Sequence, residues 1–399
     1  MASPKQSQES VATFGIRPVE RFSGGSSAIK RPREFTHFSY DSEHVFHPDV
    51  SSLKYYYPPS LPSDLCAGFS TFQKHDDSTD EHITSLLRSV MLHEQSTRTR
   101  TNCDILTWRG MLTKILTTPF DRFSEFEMNA TCFQGTIFIE ENHAYKVGQR
   151  IQQDREARQR GGVSSERQDM MSFWGYKFET LSTIPDVWDK VSRDAIEGRE
   201  SDIVENKSQY CSVVSTGIGG AKLVLGGEVD AVWDRKPDPR PEDGQEGIQG
   251  TRWVELKTAE QPSSDKDMVK FERKLLKFWA QSFLLGVPKI IVGFRNKDGM
   301  LVSLEELETQ SIPGNVRRVG KRTWDGNICI NFTAAFLEFL KSTIRGEGVW
   351  RICRRPQSPS IEVFKVENKG HGEILTSEFI NWRTKIAADE LAAALSGKG

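Results

Sequence analysis

Gly226-Gly227-Glu228-Val229-Asp230 and Trp253-Val254-Glu255-Leu256-Lys257 are the two stretches on which the reading of this chain turns. Both lie in strand-like runs. Side chains at i and i+2 of an extended chain share a face, so Glu228 pairs with Asp230 and Glu255 with Lys257. Val229, Ala231, Val254 and Leu256 point the other way, into an apolar layer. Residues 235–250 are rich in Pro, Gly, Asp and Glu and read as a loop between two antiparallel strands. Side by side, the strands bring Glu228, Asp230, Glu255 and Lys257 to one patch. Clustered carboxylates repel one another and are costly to desolvate without compensating positive charge. A divalent cation together with Lys257 supplies it, and that arrangement suits metal-assisted phosphoester hydrolysis.

Working outward, the 399 residues suffice for one large domain or two ordinary ones. Hydrophobic residues make up 37% and charged residues 27%, a globular balance. The formal net charge of −2 gives no global sign of nucleic-acid binding, so any basic groove is local. Cys66, Cys103, Cys132, Cys211, Cys329 and Cys353 are scattered without a CxxC pair, which argues against structural zinc and a disulfide framework and for reduced thiols. The reading expects neither a secretory signal nor a membrane span.

Residues 1–30 are Ser/Gly-rich and expected to be largely mobile; 31–385 read as a single domain and 386–399 as a fraying tail. Lys30-Arg31-Pro32-Arg33 is a short basic cluster, more readily a solvated turn than an import signal. Phe35 to Phe72 reads as an extended arm. Helical spacing is expected over Glu81–Glu94, at Ile105–Leu116 leading into Pro119, around Pro185–Glu197, over Ser264–Leu285 and Ala334–Ile344, and in Ser377–Leu395. The Ser264–Leu285 stripe is Met268, Phe271, Leu275, Phe278, Trp279 and Ser282. Strands are expected at Met128–Phe133, Gly135–Glu140, Lys289–Arg295, Val349–Arg354 and Ser360–Val366. The interleaving of elements predicts an α+β fold.

Each polar candidate has a plainer reading beside it. A lone Glu-x-Lys triplet is usually a solvated strand face; two acidic motifs in otherwise apolar strands are more informative. Glu179 follows Phe178 in an aromatic segment expected to be buried, where a carboxylate needs a cation or a satisfied structural role. Arg109, beside Trp108, suits bidentate phosphate recognition or a core-edge salt bridge. Gln281 shares its helix with Lys270, Lys274 and Lys277, a row that is either solvated or turned toward a nucleic-acid backbone.

The ordered set Trp108-Arg109-Gly110-x-Leu112-Thr113-Lys114, Gly175-Tyr176-Lys177-Phe178-Glu179, Gly227-Glu228-Val229-Asp230, Glu255-Leu256-Lys257, Trp279 with Gln281, and Gly293-Phe294-Arg295 resembles the DXO family of RNA 5′-end decapping nucleases. Its fungal branch includes the partner of the nuclear 5′–3′ exoribonuclease. The resemblance implies two packed mixed or antiparallel sheets surrounded by helices, a D-(D/E)-x-K nuclease-like core and a deep pocket. It implies that Glu179, Asp230, Glu255 and the Leu256 carbonyl hold Mg2+ or Mn2+ and that Glu228 completes the acidic cluster. It further implies that Lys257 and Gln281 meet the scissile phosphate or the attacking water, and that Arg109 binds the substrate's 5′ end. The implied reactions are removal of a 5′ triphosphate as pyrophosphate, of guanosine caps and of NAD caps, with 5′–3′ exonuclease activity in some members; nuclear localisation follows from the same likeness. Two alternatives are a mainly non-catalytic stabiliser of a 5′–3′ exoribonuclease and a DNA nuclease on the related core, the latter disfavoured by the Arg109 and Glu179 motifs.

Overall fold

The computed structural model describes residues 12–159, 165–234 and 251–396. Two mixed sheets, of ten and seven strands among these residues, pack against each other with helices around them. Leu223 and Leu225 of the first sheet and Val232, Trp253, Ile290 and Val292 of the second meet in one apolar cluster. Burying such side chains on both faces of the seam supplies the main drive for the sheets to pack.

The acidic motifs sit where the chain passes from one sheet to the other. The Ala221–Glu228 strand belongs to the first sheet and pairs antiparallel with Gln209–Ile218 and parallel with Ile105–Trp108. The chain leaves that sheet at Glu228 and enters the second at Ala231–Val232, which pairs antiparallel with Val254 and Trp253. The expected antiparallel pair is thus real for only two residues of each partner; the Gly226–Glu228 portion pairs with Trp108 and with strand Gln209–Ile218 instead. Residues 235–250, expected as a loop, lie outside the described residues.

The other neighbour of Trp253–Glu260 is Lys289–Arg295, parallel to it over the full register from Val254↔Lys289 to Glu260↔Arg295. The Asp265–Leu285 helix makes the crossover. Parallel neighbours need such a connection. The Ser264 hydroxyl caps the helix start by accepting from the Asp267 N–H, and Gly286, at φ 72°, ends it, as the sequence predicts. Its buried stripe differs from expectation. Met268 is exposed and Glu272 is buried, because the Glu272 carboxylate accepts from the backbone N–H groups of Lys321 and Thr323 and from the Thr323 hydroxyl.

Other expectations shift for similar reasons. Ile105–Trp108 is a strand, not the beginning of a helix, because it fills the slot between Leu223–Gly226 and Ile137–Ile139; the helix starts at Arg109. The supposed arm contributes strand Ile29–Tyr40 to the first sheet and Tyr55–Tyr56 to the second. The helix expected around Pro185–Glu197 is a 3-10 turn at Trp188–Lys190 followed by Arg193–Glu197, and the one at Ala334 begins earlier, at Gly326. Of the N-terminal segment expected to be largely mobile, residues 1–11 lie outside the described residues. Ala12–Gly15 pairs with strand Ser360–Glu367, and Val19 and Phe22 are buried. The helix expected near the C-terminus spans Ser377–Ser396 and so runs through most of the segment read as a tail. No helix among the described residues is long and apolar enough to cross a membrane.

One packing constraint bears directly on the site. Phe178, fully buried on the Ser165–Leu181 helix, lies over Gly293, where an added Cβ would stand 2.7 Å from its ring and 2.9 Å from Leu301. Gly293→Ala should therefore destabilise the fold by about 1–3 kcal/mol. The check is a lower midpoint in urea unfolding; an unchanged midpoint would mean the Phe178 ring yields at no cost.

Candidate active site

Arg109 is the first residue of the Arg109–Thr117 helix, immediately after the Ile105–Trp108 strand. A strand-to-helix junction aims a side chain off the sheet end. The two glycines of the acidic motif make room for it. A Cβ on Gly226 would lie 2.9 Å from the Trp108 ring, and one on Gly227 would lie 3.0 Å from the Arg109 Cβ and 2.9 Å from Leu285. Their role is close approach rather than unusual backbone geometry.

Across the seam, Glu255 is 0% exposed. Lys257 Nζ lies 2.7 Å from its Oε1, and Arg109 Nη1 donates to its Oε2 at 3.2 Å. The i,i+2 relation of Glu255 and Lys257 holds as the strand pattern predicts. Asp230 Oδ2 accepts the Leu256 N–H at 2.6 Å and stands 4.0 Å from Lys257 Nζ. The Asp230 carboxylate is thus anchored to the strand that carries Glu255.

Glu179, from the Ser165–Leu181 helix, joins Glu228 and Asp230 so that one carboxylate oxygen of each lies within 4.8 Å of the others. Lys54 Nζ approaches Glu179 Oε1 at 3.0 Å. Sequence reasoning missed Lys54; it is a single lysine before the Tyr55-Tyr56-Tyr57 run, and nothing in its spacing marks it. Gln281 is half-buried on the crossover helix, one turn before Leu285, which faces Gly227. Of the lysine row on that helix, Lys270 pairs with Asp267 and Lys277 with Asp121, while Lys274 donates to the Thr258 carbonyl.

The charges do not balance evenly. Burial raises the Glu255 carboxyl, but Lys257 and Arg109 outweigh it and hold the group below the usual carboxylate range. Burial pushes Glu228 up to about 7, with Glu179 adding repulsion and Arg109 and Lys54 opposing it. Asp230 is pushed well up by burial and by Glu255, against Lys257. Burial alone would lower the Lys257 ammonium, yet Glu255 and Asp230 keep it above its ordinary value.

The cations present therefore satisfy Glu255 and leave Glu228 and Asp230 short of positive charge, a deficit that fits a divalent cation at Glu179, Glu228 and Asp230. All three donors are hard oxygens, the type that suits Mg2+ or Mn2+. Glu255 and the Leu256 carbonyl, which the resemblance puts among the ligands, adjoin this group through Asp230 and Lys257. A cavity of about 370 Å3 opens beside Glu228, with Trp108, Met111, Tyr40 and Cys211 in its wall.

Known proteins with this architecture align over nearly the whole chain. The decapping nuclease RAI1 of Emericella nidulans is 57% identical over 372 residues, 93% of this chain and 98% of that protein. The crystal structure of Candida albicans Rai1 in complex with pU5 and Mn2+ superposes with a TM-score of 0.83 at 30% identity, covering 96% of this chain and all of that one. Scheffersomyces stipitis Rai1 in complex with (3′-NADP)+ and calcium gives 0.82 at 30% identity, covering 94% of this chain and all of that one. A model of the RAI1-like PD-(D/E)XK nucleases matches residues 30–380, and the chain belongs to that family.

Proposed function

We propose that this chain is a divalent-metal-dependent hydrolase of RNA 5′ ends, acting as a decapping nuclease on triphosphate, guanosine-capped and NAD-capped RNA. The observation that carries the reading is the convergence of Glu179, Glu228 and Asp230 beside the Glu255–Lys257 pair at the seam of two sheets, with Glu228 lining a cavity. Relatives crystallised with pU5 and Mn2+ and with (3′-NADP)+ support an RNA 5′ end and a dinucleotide cap as the substrate class.

Glu179, Glu228 and Asp230 would hold the cation, with Glu255 and the Leu256 carbonyl as the further ligands the motif implies. Bound there, a divalent cation neutralises charge on the phosphoryl oxygens and makes a bound water more acidic. The other roles belong to the chain. Lys257 offers an ammonium to the attacking water or to a phosphoryl oxygen, and its fixed position by Glu255 removes the cost of ordering it during reaction. Arg109 carries a planar fork that matches a phosphate as well as it matches Glu255. Gln281 lies on the adjoining helix, and the family motif gives it the role of a neutral donor to the phosphate or the water. Lys54 orients Glu179 by their ion pair. Retention of every charged group in this constellation favours catalysis over a purely scaffolding role. Docking of a 5′–3′ exoribonuclease and residence in the nucleus belong to the same proposal and are tested by co-purification and by localisation of the tagged chain.

The decisive assay follows products from 5′-labelled triphosphate, guanosine-capped and NAD-capped RNA, with and without Mg2+ or Mn2+. Asp230→Asn should cut turnover at least ~10²–10³-fold, the order expected when a key electrostatic group of a transition state is removed. Wild-type release of pyrophosphate, cap nucleotide or NAD by that variant would sink the site. Lys257→Ala should lower kcat by about 10²–10⁴-fold while Mn2+ affinity changes little; a variant that keeps full kcat removes Lys257 from the chemistry.

Proton competition gives a third test. Glu228 with a pKa of about 7 is largely protonated below that pH in the cation-free protein, and ligation requires the proton to leave. Mn2+ affinity measured by calorimetry should therefore fall as pH drops through about 7. In Glu228→Gln that dependence should shrink; a pH profile identical to wild type would exclude Glu228 from the cation site.

A further inference from the structure

The cavity beside Glu228 holds a second donor cluster that the hydrolytic reading does not use. His44, His75 and Glu81 each present a ligand atom, and these atoms lie within 4.8 Å of one another. His44 Nε2 is 3.4 Å from Glu81 Oε2, and His75 Nε2 is 3.5 Å from Glu81 Oε1. With metal–nitrogen and metal–oxygen bonds near 2.0–2.2 Å, donors around a tetrahedral Zn2+ stand about 3.3–3.5 Å apart. The two histidine–carboxylate separations, each to a different Glu81 oxygen, match that spacing.

The His44 ring is also held in the manner of a metal-binding imidazole. His44 Nδ1 lies 2.9 Å from the Lys207 carbonyl, so this nitrogen carries a proton, and Nε2 is the nitrogen that faces Glu81. Tyr40 stacks on His44 at 4.0 Å and 11°, and the His75 ring centroid lies 4.0 Å from that of His44. The Asn206 side chain accepts the His75 backbone N–H at 2.7 Å, fixing the loop that carries the second ring. With a cation in place of the ring protons, two imidazoles and one carboxylate form an open three-ligand site. The three side chains line the same cavity as Glu228, Trp108 and His82.

We infer that His44, His75 and Glu81 bind a borderline transition-metal cation, of which Zn2+ is the probe, at a site separate from the oxygen-only cluster of Glu179, Glu228 and Asp230. Imidazole donors favour such a cation over Mg2+ or Ca2+. The inference stands on ligand geometry and does not depend on the hydrolytic reading.

The test uses the full chain, stripped with a chelator, returned to metal-free buffer and dialysed against micromolar free Zn2+. Elemental analysis should show His75→Gln and Glu81→Gln each binding about one Zn2+ fewer per chain than wild type, as loss of a ligand from a three-ligand site requires. Mn2+ binding at the acidic cluster should persist in both variants, which also reports that they fold. X-ray absorption on Zn2+-loaded Asp230→Asn, whose acidic site is impaired, should show scattering from two imidazoles. Equal Zn2+ stoichiometry in wild type and variants, or a shell of oxygen alone, would overturn the site and leave Glu81 as a carboxylate bridging two histidines. If a variant also loses Mn2+, the absorption spectrum decides.

Discussion

The rest of the site depends on a carboxylate that water does not reach. Glu255 is fully buried, and an uncompensated charge in that position would cost several kcal/mol. Its two partners come from different layers: Lys257 from its own strand, Arg109 from the helix that starts at the end of a first-sheet strand. Satisfying Glu255 therefore requires the strand–helix junction at Trp108–Arg109 to sit against the second sheet. That approach in turn requires glycine at 226 and 227, where any side chain would strike Trp108, Arg109 or Leu285. The same demand leaves Glu228 and Asp230 without enough positive charge, so the stability of one carboxylate sets the cation affinity of its neighbours.

Much of this was legible in the residues. Period-two alternation put Glu255 and Lys257 on one face, and that relation depends only on local backbone geometry. Ser264 and Gly286 bounded the crossover helix because caps are local chemistry as well. Glu179, Glu228, Asp230, Glu255, Lys257 and Arg109 do converge. What local reasoning could not supply were pairings chosen by distant strands. Ile105–Trp108 has apolar residues that suit a helix or a strand, and the empty slot beside Leu223–Gly226 decided the matter. Glu228 and Asp230 looked like members of one strand, yet the chain changes sheets between them. Lys54 reaches Glu179 across 125 positions of sequence, a separation no spacing rule spans.

The buried face of the crossover helix teaches the same point. Met268 fits an apolar stripe by period but ends in solvent, whereas Glu272 breaks the pattern and is buried because the 321–323 backbone offers donors. Hydrophobic period predicts burial well only where neighbours are apolar; a polar side chain with its hydrogen bonds satisfied can take a core position.

The passage of the chain from one sheet to the other between Glu228 and Asp230 has a thermodynamic consequence. Glu228 closes a first-sheet strand, Asp230 is tied to a second-sheet strand through the Leu256 N–H, and only Val229 lies between them. A ligand that grips both carboxylates thus stitches the layers together, and its binding free energy is added to the work of prying them apart. Occupancy of the site and cohesion of the two sheets are one linked equilibrium, so amide protons along the seam should exchange with solvent at a rate that follows the ambient cation concentration.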